Sequence, residues 1–285
     1  MIYSNMRLNE SKFLEVAENY YAPIEEWTKK LPSEKHLELC KCISKRRKNL
    51  MFTGLSACAI CGIPRLDPFE MRPHCIACTR KHADIICWRE RTLDQNARIV
   101  NGLLVASPTR IICDLAKYDS TYSLLTSINH CLYKNYFSME TLLEELNEGK
   151  YIVGKNKIKQ IFRVATNKCE SPLETLAWIK INNEGFILPE QQVTLYDKNT
   201  FIGRVDMSWE VTGERIILEL DGMNKYKDHE AFRLEKIREN KLSSCGYRII
   251  RATWKDVTSG ELIKRLENEG IPRRAFFKRS IIKNA

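Results

Sequence analysis

Four carboxylates in the second half of the chain, Glu174, Asp206, Glu219 and Asp221, have the type and spacing to do chemistry. Glu219-Leu220-Asp221 closes an apolar run. Alternate residues of a strand share a face, so these two acids point the same way. Asp206, within Gly203-Arg204-Val205-Asp206-Met207, can lie across from them if the two runs pair. Clustered carboxylates repel one another and cost stability unless a cation neutralises them. Hard oxygen ligands of this kind suit Mg²⁺ or Mn²⁺, with water and phosphate filling the remaining positions. The competing reading is a set of solvated strand-end charges paired with nearby Lys and Arg. For any one acid that reading suffices; only the ordered set argues beyond it.

The elements that must position these acids follow in order. Ser171-Pro172 is an N-cap followed by proline at the first helical position, opening a helix to about Asn183. On that helix Glu174 falls beside Ala177 and Ile181, on the apolar face. Gln191–Tyr196 and Phe201–Trp209 are expected strands joined by the turn 197–200, and Arg215–Leu220 is a third. A helix from about Asp228 to Ser244 ends at Gly246, Tyr247–Ala252 is a further strand, and Lys255–Gly270 a last helix. The fourth strand needs a helical crossover and is therefore expected parallel to its neighbour. The stripe Ala231, Leu234, Ile237, Leu242 and Cys245 encloses Arg238 and Lys241 but leaves Arg233 and Lys236 outside. Two inward cations need acidic partners, and the carboxylates are the candidates.

Ser171-Pro172-Leu173-Glu174, Arg204-Val205-Asp206, Glu219-Leu220-Asp221-Gly222 and the tail from Glu235 to Arg251 together resemble a widespread bacterial domain. That domain is related to very-short-patch-repair endonucleases, within the PD-(D/E)xK superfamily, and the likeness covers about 171–258. It implies a restriction-endonuclease-like core (α-β-β-β-α-β) and hydrolysis of nucleic-acid phosphodiesters. By motif, Glu174, Asp206 and Glu219 would hold the metal. Asp221 stands where the superfamily signature has Lys. Lys225 or Lys241 could supply the positive charge that stabilises a developing phosphorane or orients water. The resemblance is also what points to DNA.

The whole chain carries 46 Lys and Arg against 36 Asp and Glu in 285 residues, a formal charge of +10. Such an excess suits a polyanionic partner, because Lys and Arg displace counterions condensed on phosphate. It equally fits a protein that is merely basic. No run of about 18 apolar residues is present, so no membrane span is expected. The first residues lack a signal-peptide layout, and eleven cysteines without an export signal argue for free thiols in a cytoplasmic protein.

Residues 1–150 have a mainly helical texture with a short strand-like stretch near 72–105, giving an expected α+β domain. A connector is expected over 151–170 and the nuclease-like domain over 171–285. Two CxxC pairs, Cys58/Cys61 and Cys75/Cys78, have the spacing of a tetrahedral Zn²⁺ site. Their spacers, Ala-Ile and Ile-Ala, favour buried thiols in a short helix stopped at Gly62-Ile63-Pro64 instead. The segment 50–120 resembles AbiEi-type antitoxin or regulator proteins through Ser56-Ala57, Asn101-Gly102-Leu103 and Ser107-Pro108-Thr109-Arg110…Asp114-Leu115-Ala116. Arg110 and Asp114 stand four apart on a helix and can pair. Lys45, Arg46, Arg47 and Lys48 form a basic run whose functional reading is phosphate contact and whose bland one is a solvated helix end. Arg238 is a further candidate contact. Three functions remain open: a Mg²⁺-dependent nuclease, a non-catalytic DNA-binding regulator with an inactive nuclease fold, and a zinc-dependent interaction module.

Overall fold

A computed structural model describes residues 3–4, 12–47, 49–76, 84–88, 94–148, 153–222 and 229–275; within 229–240 it describes the side chains of 233, 236–238 and 240. The chain divides into two units, Met1–Lys159 and Gln160–Ala285. It is mixed α/β.

In the first unit, β1 (Tyr3–Ser4), β2 (Phe13–Ala17) and β3 (Tyr20–Pro23) form a sheet in the order β1-β3-β2. Helices α1 (Ile24–Lys29) and α2 (Pro32–Arg46) follow, then β4 (Met51–Phe52), α3 (Gly54–Cys61), β5 (His74–Ile76), β6 (Ile86–Trp88), β7 (Arg98–Val100) and β8 (Leu103–Val105). These last strands make a second sheet ordered β6-β5-β4-β8-β7. Helices α4 (Pro108–Leu115), α5 (Thr121–Tyr133), α6 (Met139–Asn147) and α7 (Lys155–Ile161) complete the order. The mainly helical texture holds, and β5–β8 fill the expected strand-like stretch; β1–β4 lie outside it. These strands run only two to five residues, too short for an alternating pattern to stand out in sequence.

Buried polar groups pin this unit. Asp114, fully buried, accepts from Thr53 Oγ1 at 2.6 Å, Arg110 Nε at 2.7 Å and Lys117 Nζ at 2.6 Å. The Arg110–Asp114 pair is therefore real, but it lies within α4, and Thr53 ties it to the N-cap of α3 inside the fold. His36 lies with Nδ1 2.6 Å from the Glu70 carbonyl and Nε2 2.7 Å from Ser56 Oγ. A carbonyl only accepts, so Nδ1 carries the proton and Nε2 accepts from the serine.

The second unit begins inside the expected connector, whose described part includes α7 with the fully buried Ile158 and Ile161. Its residues 160–170 are tied into the unit: Val164 O accepts Trp178 Nε1 at 2.8 Å, and Thr166 bonds Gln191 at 3.0 Å. Helix α8 (Pro172–Asn183) starts at Ser171, whose Oγ accepts the Glu174 amide at 3.2 Å. Nearly all of it is buried, so it is a core helix. Strands β9 (Glu190–Asp197), β10 (Thr200–Val211) and β11 (Glu214–Asp221) form an antiparallel meander. Thr212 and Gly213, both at positive φ (51° and 84°), make the tight second turn with the twist a two-residue hairpin prefers. Helix α9 (His229–Ser244) crosses over to β12 (Arg248–Thr253), which pairs parallel with β11, as the crossover requires. The sheet order is β12-β11-β10-β9. One predicted helix over 255–270 is instead α10 (Trp254–Ser259) and α11 (Glu261–Asn268), broken at Gly260, whose φ of 85° no continuing helix adopts. Leu195, Ile202, Val205 and Ile217 of the sheet pack with Leu242 of α9.

Candidate active site

The four acids sit on elements arranged in the order the sequence implied, but the structure sorts them into two kinds. Glu174 is 7% exposed on the first turn of α8. Its Oε2 accepts the Glu170 amide at 2.9 Å and Gln192 Nε2 at 2.9 Å. Asp206 immediately precedes the Met207↔Leu218 register pair, and its Oδ2 accepts the Leu220 amide at 2.8 Å. Burial raises the Glu174 carboxyl above its ordinary range; the Glu170 amide and Ser171 hold it down, and the negative charges of Asp206 and Glu170 raise it further. Glu174 therefore lies buried and within electrostatic reach of Asp206, in a place that favours its protonated form.

Glu219 and Asp221 are each held by an arginine. Glu219, 3% exposed, bonds Arg238 Nη2 at 2.8 Å. Asp221 lies 3.3 Å from Arg251 Nη1, across the parallel β11–β12 pair. Arg238 also donates to the Arg204 carbonyl at 3.2 Å, with its Cδ close over Gly203. A Cβ on Gly203 would come within 2.9 Å of that Cδ, so the glycine is what lets the arginine cross the strand. Arg238 thus turns inward as its spacing predicted, and Arg233 and Lys236 are exposed as expected. Lys241 and Ile237 correct the predicted stripe: both are exposed, because α9 presents Leu242 and Arg238 to the sheet and turns these two away. Lys225 lies outside the described residues.

Arg46 pairs with Glu18, and Arg47 bonds Asp84 at 3.0 Å, so two of the four candidate phosphate contacts already hold acids. Lys45 is exposed and Lys48 lies outside the described residues. Of the CxxC cysteines, Cys78 also lies outside. Of the other three, Cys58 and Cys61 share α3 and Cys75 lies on β5. Cys58 lies fully buried on α3, close enough to Cys61 and Cys131 to feel their charge. Cys61 hydrogen-bonds Arg98, and Cys75 is the register partner of Cys87 on β6. Burial pushes the Cys58 thiol well above its usual range and the Cys75 thiol to about 12, against the thiolate that zinc requires. Among the described residues no group of three or more His, Cys, Asp and Glu is placed to hold a metal ion.

Sequence reasoning missed Gln192, Glu170 and Arg204. Arg204 bonds Glu170 at 2.8 Å, and Glu170 in turn backs Glu174 through its amide. Gln192 reaches Glu174 because it takes a left-handed conformation (φ 55°) inside β9. Nothing in Glu190-Gln191-Gln192-Val193 announces that.

Taken alone, the second unit is an α/β domain with a four-stranded mixed sheet and acids on α8, β10 and β11. Comparisons with protein-family models, curated proteins and solved structures find no match. Among the described residues no helix is long and apolar enough to cross a membrane.

Proposed function

We propose that the chain is a divalent-cation-dependent endonuclease acting on DNA, with a PD-(D/E)xK-type, restriction-endonuclease-like second unit and a first unit that binds or regulates. The observation that supports this best is that buried Glu174 on α8 feels the charge of Asp206 on β10, with Glu219 on the adjacent β11, in the element order such a core uses. Glu174 and Asp206 would hold Mg²⁺ or Mn²⁺. Glu219 fits the same set only in part, since Arg238 neutralises it. A bound cation would supply an activated water and offset charge on the scissile phosphate. The chain's own groups do the rest: Gln192 and the Glu170 amide fix the Glu174 carboxylate, the Leu220 amide fixes Asp206, and Arg238 positions Glu219. Exposed Lys241 remains available to meet phosphate charge. A net charge of +10 suits the polyanion, and eleven cysteines, ten of them described as free thiols, suit a reducing cytoplasm.

The test is cleavage of circular and linear DNA with Mg²⁺, Mn²⁺ or EDTA, beside Asp206→Ala and Glu174→Gln. Metal-dependent cutting that both substitutions abolish supports the reading. Intact DNA under every condition sinks it. A second reading is favoured by the Glu219–Arg238 and Asp221–Arg251 pairs, which neutralise two of the four acids internally. It is a non-catalytic DNA-binding regulator built on the same fold. It expects salt-sensitive DNA binding, unchanged by Asp206→Ala, and no cleavage.

A further inference from the structure

The β9–β10 hairpin ends in two aromatic rings that the core does not use. Tyr196 and Phe201 are register partners with ring centroids 6.0 Å apart and planes at 72°. They remain 55% and 59% exposed. A cross-strand aromatic pair stabilises a hairpin, but that role alone leaves the outward ring faces in water. The neighbouring side chains are charged in a particular order. Leu195 is buried while Thr194 and Tyr196 are exposed, so the latter two share the outward face of the strand. Arg204 is the register partner of Thr194, two residues inward from Tyr196 and about 7 Å along the ribbon. It bonds Glu170, whose amide bonds the Glu174 carboxylate. Exposed Lys198 occupies the turn beyond the rings. Half-exposed Arg204, which shares its charge with Glu170, then the ring pair, then the exposed Asp197 and Lys198 of the turn therefore run outward from Glu174. The open ring faces suit stacking by the bases of a strand, with Arg204 and Lys198 on either side to meet its phosphates.

We infer that Tyr196 and Phe201 form a stacking platform for unpaired bases, so that nucleic acid reaches the Glu174–Asp206 site as a single or locally unpaired strand. The inference rests on the nuclease reading for its site, and its test does not depend on catalysis. Fluorescence anisotropy with the full chain in EDTA compares a labelled strand of about 20 nucleotides, longer than one binding fold covers, with the matching duplex. Wild type is expected to bind the single strand more tightly. The Tyr196→Leu/Phe201→Leu variant keeps apolar bulk but no π-face, and should bind that strand about tenfold more weakly or worse. The exchange Tyr196→Phe/Phe201→Tyr should bind like wild type. If the double leucine variant fails to fold by circular dichroism, the two single leucine variants carry the comparison.

Unchanged strand binding in folded leucine variants overturns the platform, as does a wild-type preference for duplex. Self-association of wild type that the leucine variants lose, with strand binding unchanged, would assign the rings to a second copy and overturn it too. The two readings fail separately. Ring-dependent strand binding without metal-dependent cleavage removes the nuclease and keeps the platform. Duplex cleavage that the leucine variants perform as well as wild type does the reverse.

Discussion

Replacing Arg238 by Met tests whether Glu219 is held as described. Met keeps an unbranched stem over Gly203, so packing changes little while the guanidinium is lost. The pair it breaks is 2.8 Å long, with side chains 19% and 4% exposed. Removing one partner of such a buried pair costs about 3–5 kcal/mol, because the remaining charge stays out of water. The lost bond to the Arg204 carbonyl adds at most about 1 kcal/mol. We expect a loss of about 3–6 kcal/mol in EDTA at pH 7, read by urea denaturation of the full chain followed by circular dichroism. In a thermal scan this is a drop on the order of 10 °C. Adding Glu219→Gln removes the stranded charge, and a double-mutant cycle should return about 2 kcal/mol or more of coupling. If the site takes a cation, millimolar Mn²⁺ should stabilise Arg238→Met more than wild type, since the variant leaves Glu219 without that arginine. A loss below about 1 kcal/mol would refute the reasoning, showing that other groups satisfy Glu219.

Other outcomes follow from the first unit. Burial, followed by the nearby charge of Arg65, lowers His36 to about 4 despite the favourable Glu70 carbonyl, and burial, His36, Arg65 and Arg72 lower His74 to about 3. Their folded values lie below the unfolded one, so the unfolded chain binds the extra protons. Stability is then full above about pH 6.5 and falls on acidification, by about 2 kcal/mol per histidine at pH 5. Denaturation midpoints at pH 7 and pH 5 check this, and His36→Gln should flatten the slope; a pH-independent midpoint contradicts it. Asp114→Ala strands the buried Arg110 and should cost about 3–5 kcal/mol by urea denaturation, whereas a loss within about 0.5 kcal/mol would show the network to be dispensable. The separate surroundings of Cys58 and Cys75 predict protein purified without chelators that carries no stoichiometric zinc by elemental analysis. One zinc per chain, lost in Cys58→Ser, would contradict the buried-thiol reading.

What the sequence shows depends on length and on locality. The 171–183 helix and the paired strands of 190–221 are long, capped or periodic, and their bounds fall within a residue or two of expectation. The inward turn of Arg238 was legible from helical spacing, because one buried position, Leu242, fixes the phase of the face. Lys241 was misjudged by that same spacing: a wheel places it beside Leu242, yet only contact with the sheet decides which edge of a stripe is covered. The five short strands of the second sheet carry too few residues to show a period; β7 and β8 close locally over Asn101-Gly102, whereas β4, β5, β6 and β8 pair across separations that no local pattern encodes. The carboxylates were legible as candidates, but their sorting was not. Which acid meets an arginine and which meets another acid depends on the left-handed Gln192 and on Gly203, both set by tertiary packing. Of the paired CxxC, Cys58 and Cys61 sit on a helix and Cys75 on a strand, a placement that the spacing alone does not reveal.

The parallel strand at the sheet's edge also fixes an order of assembly. The β9–β11 meander pairs through two short turns and can close as soon as Asp221 has been made. Strand β12 pairs with β11 only after all of α9 has been added, so its contacts are the most distant in sequence along this sheet. Until then the apolar strand Ile216-Ile217-Leu218 presents an open edge to any other chain in reach. A chain stopped before Arg248 keeps that edge permanently. Such truncations should therefore accumulate as aggregates and not as soluble fragments, and conditions that slow docking of the last strand should act on wild type in the same direction.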